Sequence, residues 1–171
     1  LIEHVLDYCR EKKLDAPVIA DLCSGSGCIA VTLKKEIPEA NVTAVEISDE
    51  ALGYLRENAK LNGADINIVK GNVLSRECRE SFDNIDIIVS NPPYLTGEDM
   101  RTLQKEVACE PALALFGGSD GLGFYRAVTE LWKAALVPEG AIFYEYGMGQ
   151  HTDVAEILRK NGFADIDLRK D

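Results

Sequence analysis

The run Val18-Ile19-Ala20-Asp21-Leu22 opens directly into Cys23-Ser24-Gly25-Ser26-Gly27. A short apolar strand that turns through glycine into a helix constrains the rest of the chain. The helix returns the chain to the start of the sheet, so the next strand pairs in parallel. The pattern continues accordingly. A helix from about Gly27 stops before Pro38, and Val42 to Ile47 reads as a second strand. Ser48 is placed to cap a helix with Asp49 and Glu50 in its first turn, where the helix dipole favours negative charge. Its apolar face is Ala51, Leu52, Leu55 and Ala59, and Gly63 is its stop. Ile66 to Val69 is a third strand and Ile85 to Val89 a fourth. An irregular stretch leads to a helix whose apolar face is Phe124, Ala127, Val128, Leu131 and Ala135. Gly140 to Tyr146 is a fifth strand, Val154 to Lys160 a helix and Ala164 to Leu168 a sixth strand. Ahead of them all, Ile2, Val5, Leu6 and Cys9 lie at helical spacing. The expected fold is α/β: a doubly wound, mostly parallel sheet with helices on both faces. No repeat or linker interrupts it, so residues 1–171 are expected to form one domain.

Charge and composition narrow the function. The formal net charge is −11, from 18 basic and 29 acidic residues. Duplex-binding surfaces need clustered Lys and Arg, so direct nucleic-acid binding is not expected. No window approaches the length of a membrane span. The five cysteines, Cys9, Cys23, Cys28, Cys78 and Cys109, are odd in number and form no C-x-x-C pair. His4 and His151 have no ligand-type spacing. A disulfide framework and a metal site are therefore not signalled, and a reduced, cytoplasmic, monomeric protein is expected. The chain begins at Leu1 inside a helical pattern, which suggests an upstream segment.

Ligands of open parallel sheets lie beyond the carboxyl ends of the strands. Three features fall there. In the loop from Asp21 to Gly27, glycine lets backbone approach a ligand closely, and the next helix presents its N-terminal amides. Glu46 ends the second strand, 21 residues after Gly25, and suits the two hydroxyls of a ribose. Gly71-Asn72-Val73 ends the third strand and suits the flank of an adenine ring. Gly25-Ser26-Gly27 followed by Ala30 also satisfies a dinucleotide fingerprint, so these features indicate an adenosine-containing cofactor without saying which.

Asn91-Pro92-Pro93-Tyr94 follows the fourth strand and decides the chemistry. A planar nitrogen is a poor nucleophile because its lone pair is delocalised. Acceptors on both of its N–H groups fix its orientation and favour a pyramidal form. Asn91 offers a side-chain oxygen and Pro92 a backbone carbonyl. The prolines stiffen the loop, and Tyr94 can stack on a flat substrate. A plain Pro-Pro turn needs neither the Asn nor the Tyr.

With these residues the chain resembles the class I S-adenosylmethionine methyltransferases, which have a Rossmann-like sheet. Within them it is similar to the HemK/PrmC family, the release-factor glutamine N5-methyltransferases. The resemblance rests on the Asp21-to-Gly27 loop, Glu46, the run from Val89 to Tyr94, and the stretch from Glu110 through Gly117-Gly118 to Asp120-Gly121-Leu122 and Phe124-Tyr125-Arg126. It implies S-adenosylmethionine as methyl donor, S-adenosylhomocysteine as product, and a peptide chain release factor as protein substrate, methylated on the glutamine of its Gly-Gly-Gln loop. The catalytic positions are then Asn91, Pro92, Pro93 and Tyr94. The cofactor positions are Asp21, Cys23, Ser24, Gly25, Gly27, Glu46, Ile47, Asn72, Val73 and Asn91. Glu110, Pro111 and the Gly117-Gly118 pair are candidates for the wall of the substrate slot. Cys23 departs from the family's usual glycine, and Asn72 from a frequent acid. The family's N-terminal helical domain and its last strand, which lies between the fifth and sixth, are not found in this sequence. The final segment is therefore expected to pair poorly and move. An exocyclic amine of DNA or RNA is the alternative acceptor, and an NAD-dependent oxidoreductase leaves Asn91 to Tyr94 without a role.

Overall fold

A computed structural model describes residues 1–102 and 111–169, so Cys109 and Glu110 lie outside the described residues. The described chain divides into two compact units. The first comprises Leu1–Asn91 and Ala134–Glu145, and the second Pro92–Lys133 and Tyr146–Asp171.

The first unit is built on five parallel strands: β1 (Val18–Leu22), β2 (Asn41–Glu46), β3 (Asn67–Lys70), β4 (Ile85–Ser90) and β5 (Leu136–Tyr144). Their order is β3-β2-β1-β4-β5. The chain steps outward from β1 to β3, then returns to the other side of β1. The winding therefore reverses between β1 and β4, which makes that gap the switch point of a doubly wound sheet. Helices α1 (Ile2–Lys12), α2 (Cys28–Glu36) and α3 (Asp49–Leu61) link or precede the first strands, and α4 (Arg76–Arg79) is a single turn before β4.

Burial explains the order. Val5 and Cys9 of α1, Ala30 and Leu33 of α2, and Leu52 and Leu55 of α3 form one cluster with Ile19, Val42, Ala44, Ile87 and Val89 of the sheet. Residues of alternating phase, Ala20, Leu22, Val45 and Ile88, are also buried, so both sheet faces are covered. That accounts for strands that read as continuous apolar runs rather than as an alternation. Ser48 caps α3 as expected, its Oγ accepting from Ala51 N at 3.3 Å. Gly63, at φ +59°, follows the helix end.

β5 begins earlier than the sequence suggests. Leu136 pairs with Ile85, and the ladder resumes at Ala141 opposite Ile87. The intervening Pro138-Glu139-Gly140 forms the irregularity, with Glu139 at φ 65°.

The second unit contains α5 (Ala112–Leu115), α6 (Gly123–Trp132) and α7 (His151–Lys160). Val128 and Ala135 of the expected stripe are buried and Phe124, Ala127 and Leu131 half-buried, while the fully buried face of α6 is Tyr125, Val128, Thr129 and Trp132. The true stripe keeps the i, i+3, i+4, i+7 spacing but includes Thr129 and Tyr125, whose polar atoms mask it. The expected sixth strand, Ala164 to Leu168, does not form; no ladder pairs there, and the sheet has five strands. Asp165 stands at φ 50°, a left-handed conformation that breaks an extended run, and Leu168 is exposed. Among the described residues no helix is long and apolar enough to cross a membrane.

Gly27, at φ +84°, lies where a Cβ would come within 2.5 Å of Leu55 Cδ1. Gly27→Ala should therefore cost about 1–3 kcal/mol in urea unfolding, combining overpacking with a strained φ. A loss below about 0.5 kcal/mol, the level of an indifferent surface change, would show that α2 and α3 do not meet through this residue.

Candidate functional site

The carboxyl edge of the first unit's sheet gathers every residue assigned to the cofactor by sequence: Asp21 near the end of β1 and the loop after it, Glu46 ending β2 and Ile47 after it, Asn72 and Val73 after β3, and Asn91 after β4.

Glu46 is the centre of this edge. It is buried, and its carboxylate accepts three backbone N–H groups, each at 2.8 Å: Gly25 to Oε2, and Ile47 and Ser48 to Oε1. The β1 loop and the start of the β2 turn are thus held by one side chain. A carboxylate offers about four lone-pair sites, so roughly one remains for a ligand. Gly25 N is spoken for, but the space on the Cβ side of Gly25 is open, with no atom within 4 Å, at φ +55°.

Ser24 is structural. Its N–H donates to Val45 O at 3.1 Å and its Oγ to Asp21 O at 2.7 Å, locking the loop onto β2. Cys23 stands at φ 62°, a left-handed conformation that glycine adopts without strain. A side chain there costs about 1–2 kcal/mol. Burial, then the charges of Glu46 and Asp21, push the Cys23 thiol up to about 12, so it stays protonated.

Asp21 is fully buried. Its Oδ2 accepts from Ala30 N at 3.2 Å, tying β1 to the first turn of α2, while Oδ1 has no partner. Burial, with the neighbouring Glu46 charge, raises its carboxyl to about 7. An orphaned buried carboxylate oxygen beneath a glycine loop suits a positively charged or hydrogen-donating ligand group.

Two apolar side chains stand bare on this edge. Ile47 is 43% exposed and Leu74 42% exposed, on the loops after neighbouring strands β2 and β3. They suit a flat aromatic ring. Val73, assigned to that role by sequence, is instead buried, and Leu74 beside it was not singled out because its apolar character alone reads as core. Asn72 is exposed, and its Oδ1 accepts from Leu74 N at 2.9 Å. That turn occupies part of the oxygen's capacity and leaves the amide nitrogen as the better placed group for a ligand.

At the end of β4, Ser90 Oγ donates to Leu22 O at 2.6 Å, and Glu145 N donates to Ser90 O at 3.0 Å. Asn91 therefore leaves a strand fixed on both sides. It is exposed, and among the described residues no hydrogen bond engages its side chain.

In the second unit, Pro92 and Pro93 are buried and Tyr94 is half-buried. Among the described residues no donor reaches the Pro92 carbonyl. The segment after the motif builds its backing. Leu95 N donates to Leu115 O at 2.8 Å, and Gly117 N to Leu95 O at 2.9 Å. Gly117 lies so close that a Cβ would fall 2.6 Å from Pro93 O and 2.7 Å from Tyr94 Cα. Gly121 and Gly147 likewise admit Tyr94, whose carbonyl and ring occupy the space a Cβ would take. Gly117 thus backs the loop, and Gly118 at φ +102° completes the turn beside it. Pro111 is exposed at the start of α5. Arg126 is exposed and pairs with Asp120 at 2.8 Å. Gln150, which donates to Tyr94 O at 3.0 Å, carries no motif signal and was not identified from sequence. Among the described residues no cluster suits a metal ion.

A doubly wound sheet with an acid at the end of β2 and a glycine loop after β1 defines a nucleotide-type cofactor domain. The profile of the methyltransferase small domain family matches residues 5–117, and the chain belongs to that family. It is 40% identical over 155 residues to a release factor glutamine methyltransferase of Flavobacterium psychrophilum, covering 90% of this chain and 54% of that protein. A protein of the same name from Geobacter sulfurreducens is 37% identical over 170 residues, covering 99% and 59%. The chain thus spans between half and two thirds of the length of these relatives. The crystal structure of a ribosomal protein L11 methylase from Lactobacillus delbrueckii subsp. bulgaricus superposes with a TM-score of 0.67 at 22% identity, covering 97% of this chain and 70% of that one, and shows the shared fold.

The buried Asp21 makes stability pH-dependent. Its folded-state pKa of about 7 lies above the ordinary aspartate value of 3.8, so the folded state binds the extra proton between those values and loses stability as pH rises through them. Asp21→Asn should therefore gain stability relative to the unaltered protein from about pH 4 to about pH 7 and hold that gain above it, in cofactor-free urea titrations. A difference that stays flat across that range would place Asp21 in a solvated or paired environment.

Proposed function

We propose that this chain is the catalytic domain of an S-adenosylmethionine-dependent methyltransferase acting on the side-chain amide of glutamine in the Gly-Gly-Gln loop of peptide chain release factors. The observation that carries the reading is the pair of adjacent acceptors, the Asn91 side-chain oxygen and the Pro92 carbonyl, that no described residue engages, directly after β4 at the winding reversal. Two acceptors suit the two N–H groups of a primary amide. The names of the relatives, which match throughout the chain, support the choice of glutamine.

The residues present fit the cofactor. Glu46 keeps acceptor capacity for ribose hydroxyls, Ile47 and Leu74 offer bare apolar surface for the adenine, and the Asn72 amide nitrogen can donate to a ring nitrogen. The orphaned Asp21 oxygen and the open side of Gly25 suit the amino-acid end. When bound, the cofactor supplies an electrophilic methyl group on a positively charged sulfur. Asn91 and Pro92 hold the amide by both N–H groups, which turns its nitrogen lone pair out of the amide plane. Tyr94, with its ring seated over Gly147, limits the slot to a flat group. The nitrogen can release its proton to water after transfer, so the loop requires no base. The net charge of −11 suits a protein acceptor better than a nucleic acid.

Transfer of a labelled methyl group tests the reading. A release factor should be labelled, its Gly-Gly-Gln glutamine-to-asparagine variant and duplex DNA should not. Asn91→Ala should lower turnover by about 100-fold or more with cofactor affinity retained, since only one acceptor remains to orient the amide. Label on DNA alone would transfer the protein to the nucleic-acid branch.

A further inference from the structure

The side-chain amide of Gln150 joins three backbone segments of the second unit. Its Nε2 donates to Tyr94 O at 3.0 Å and, at the long distance of 3.5 Å, to Gly121 O. Its Oε1 accepts from Gly147 N at 2.9 Å. A primary carboxamide suits this arrangement because it carries two donors and an acceptor on one plane; a carboxylate lacks the donors and an ammonium lacks the acceptor. The neighbours make room for it. A Cβ at Gly121 would lie 2.5 Å from Gln150 Nε2, and a Cβ at Gly147 would lie 2.9 Å from Gln150 Oε1.

Gln150 is also the residue at the N-cap of α7, yet its side chain makes no capping hydrogen bond to that helix. Glutamine is not among the preferred N-caps. The amide is therefore committed to the Tyr94 loop and not to the helix it precedes.

The geometry bears on the reaction. Tyr94 is two residues beyond Pro92, and the intervening Pro93 has its φ fixed by its ring. Pro93 O lies against Gly117, and Tyr94 O is held by Gln150. With the two following carbonyls settled, the direction of the Pro92 carbonyl is settled too. We infer that Gln150 is a positioning residue for methyl transfer, fixing the Pro92 carbonyl through its grip on Tyr94. The inference rests on the glutamine-methylation reading for its substrate, but not for its structural part.

The test compares the unaltered protein with Gln150→Glu and Gln150→Met. Glu keeps the acceptor for Gly147 N and loses both donors; Met keeps the length without charge. Three quantities are measured: kcat and KM on a release factor, cofactor affinity, and hydrogen exchange of the Gly147 and Leu95 amides. Both variants should lose about 10- to 100-fold in kcat, with cofactor affinity within about twofold, because misplacement of one acceptor acts on the reaction and not on cofactor binding. Exchange at Gly147 should quicken in Met, which has no acceptor oxygen, and at Leu95 in both. A kcat within about threefold of the unaltered protein, or a loss matched by an equal loss of cofactor affinity, overturns the inference. If the unaltered protein labels no release factor, the glutamine reading fails by itself. The exchange data then decide the remainder: quicker exchange at Leu95 in both variants sustains the grip on the loop, and unchanged exchange overturns it.

Discussion

Three backbone N–H groups converge on the carboxylate of Glu46, and the carboxyl edge of the sheet depends on them. Gly25, Ile47 and Ser48 belong to two different loops, and no regular ladder joins those loops beyond the ends of β1 and β2. A buried carboxylate is costly unless its lone pairs are used, and these three donors use most of them. The same bonds decide where Gly25 turns, where Ile47 is left exposed and how Ser48 is presented to cap α3. The loop is held by bonds within the chain itself, so a ligand seated there would have little ordering entropy to overcome.

The sheet beneath supplies the rigidity. β1 pairs in parallel on both sides, with β2 and β4, and its last residue is additionally tied to Ser90 Oγ. Asp21 fixes the first turn of α2 to that strand, and leaves one oxygen unpaired in the process. An unsatisfied buried carboxylate is a local cost in stability. The ends of β1 and β2 thus bring together the acid of Asp21, the glycine loop and Glu46.

Much of this is legible in the sequence. The five paired strands, the α3 cap at Ser48 and the stop at Gly63 follow from apolar runs and from capping chemistry, which are local signals. The place of the candidate site residues at strand ends follows from the alternation itself, since an α/β chain turns at the carboxyl edge after each strand. Other features depend on tertiary contacts. Asp165 in a left-handed conformation prevents a sixth strand where Ala164, Ile166 and Leu168 alternate as a strand should. Tyr125 and Thr129 lie on the buried side of α6 although their polar atoms suggest otherwise. Gln150 reaches Tyr94 across 56 residues, and no spacing rule connects them. The glycines at 117, 121 and 147 read as turn residues, and only the backbone they admit shows that they form the seat of Tyr94.

Calorimetric titration of S-adenosylhomocysteine into the unaltered protein and Glu46→Ala tests the central claim most directly, with circular dichroism to confirm that both are folded. The Glu46 account predicts saturable binding to the unaltered protein and an affinity at least about 10-fold weaker in the variant, as expected when a charge-assisted contact and the loop it organises are both lost. Equal affinities in two folded proteins would contradict it and would place the cofactor away from the β1–β2 edge.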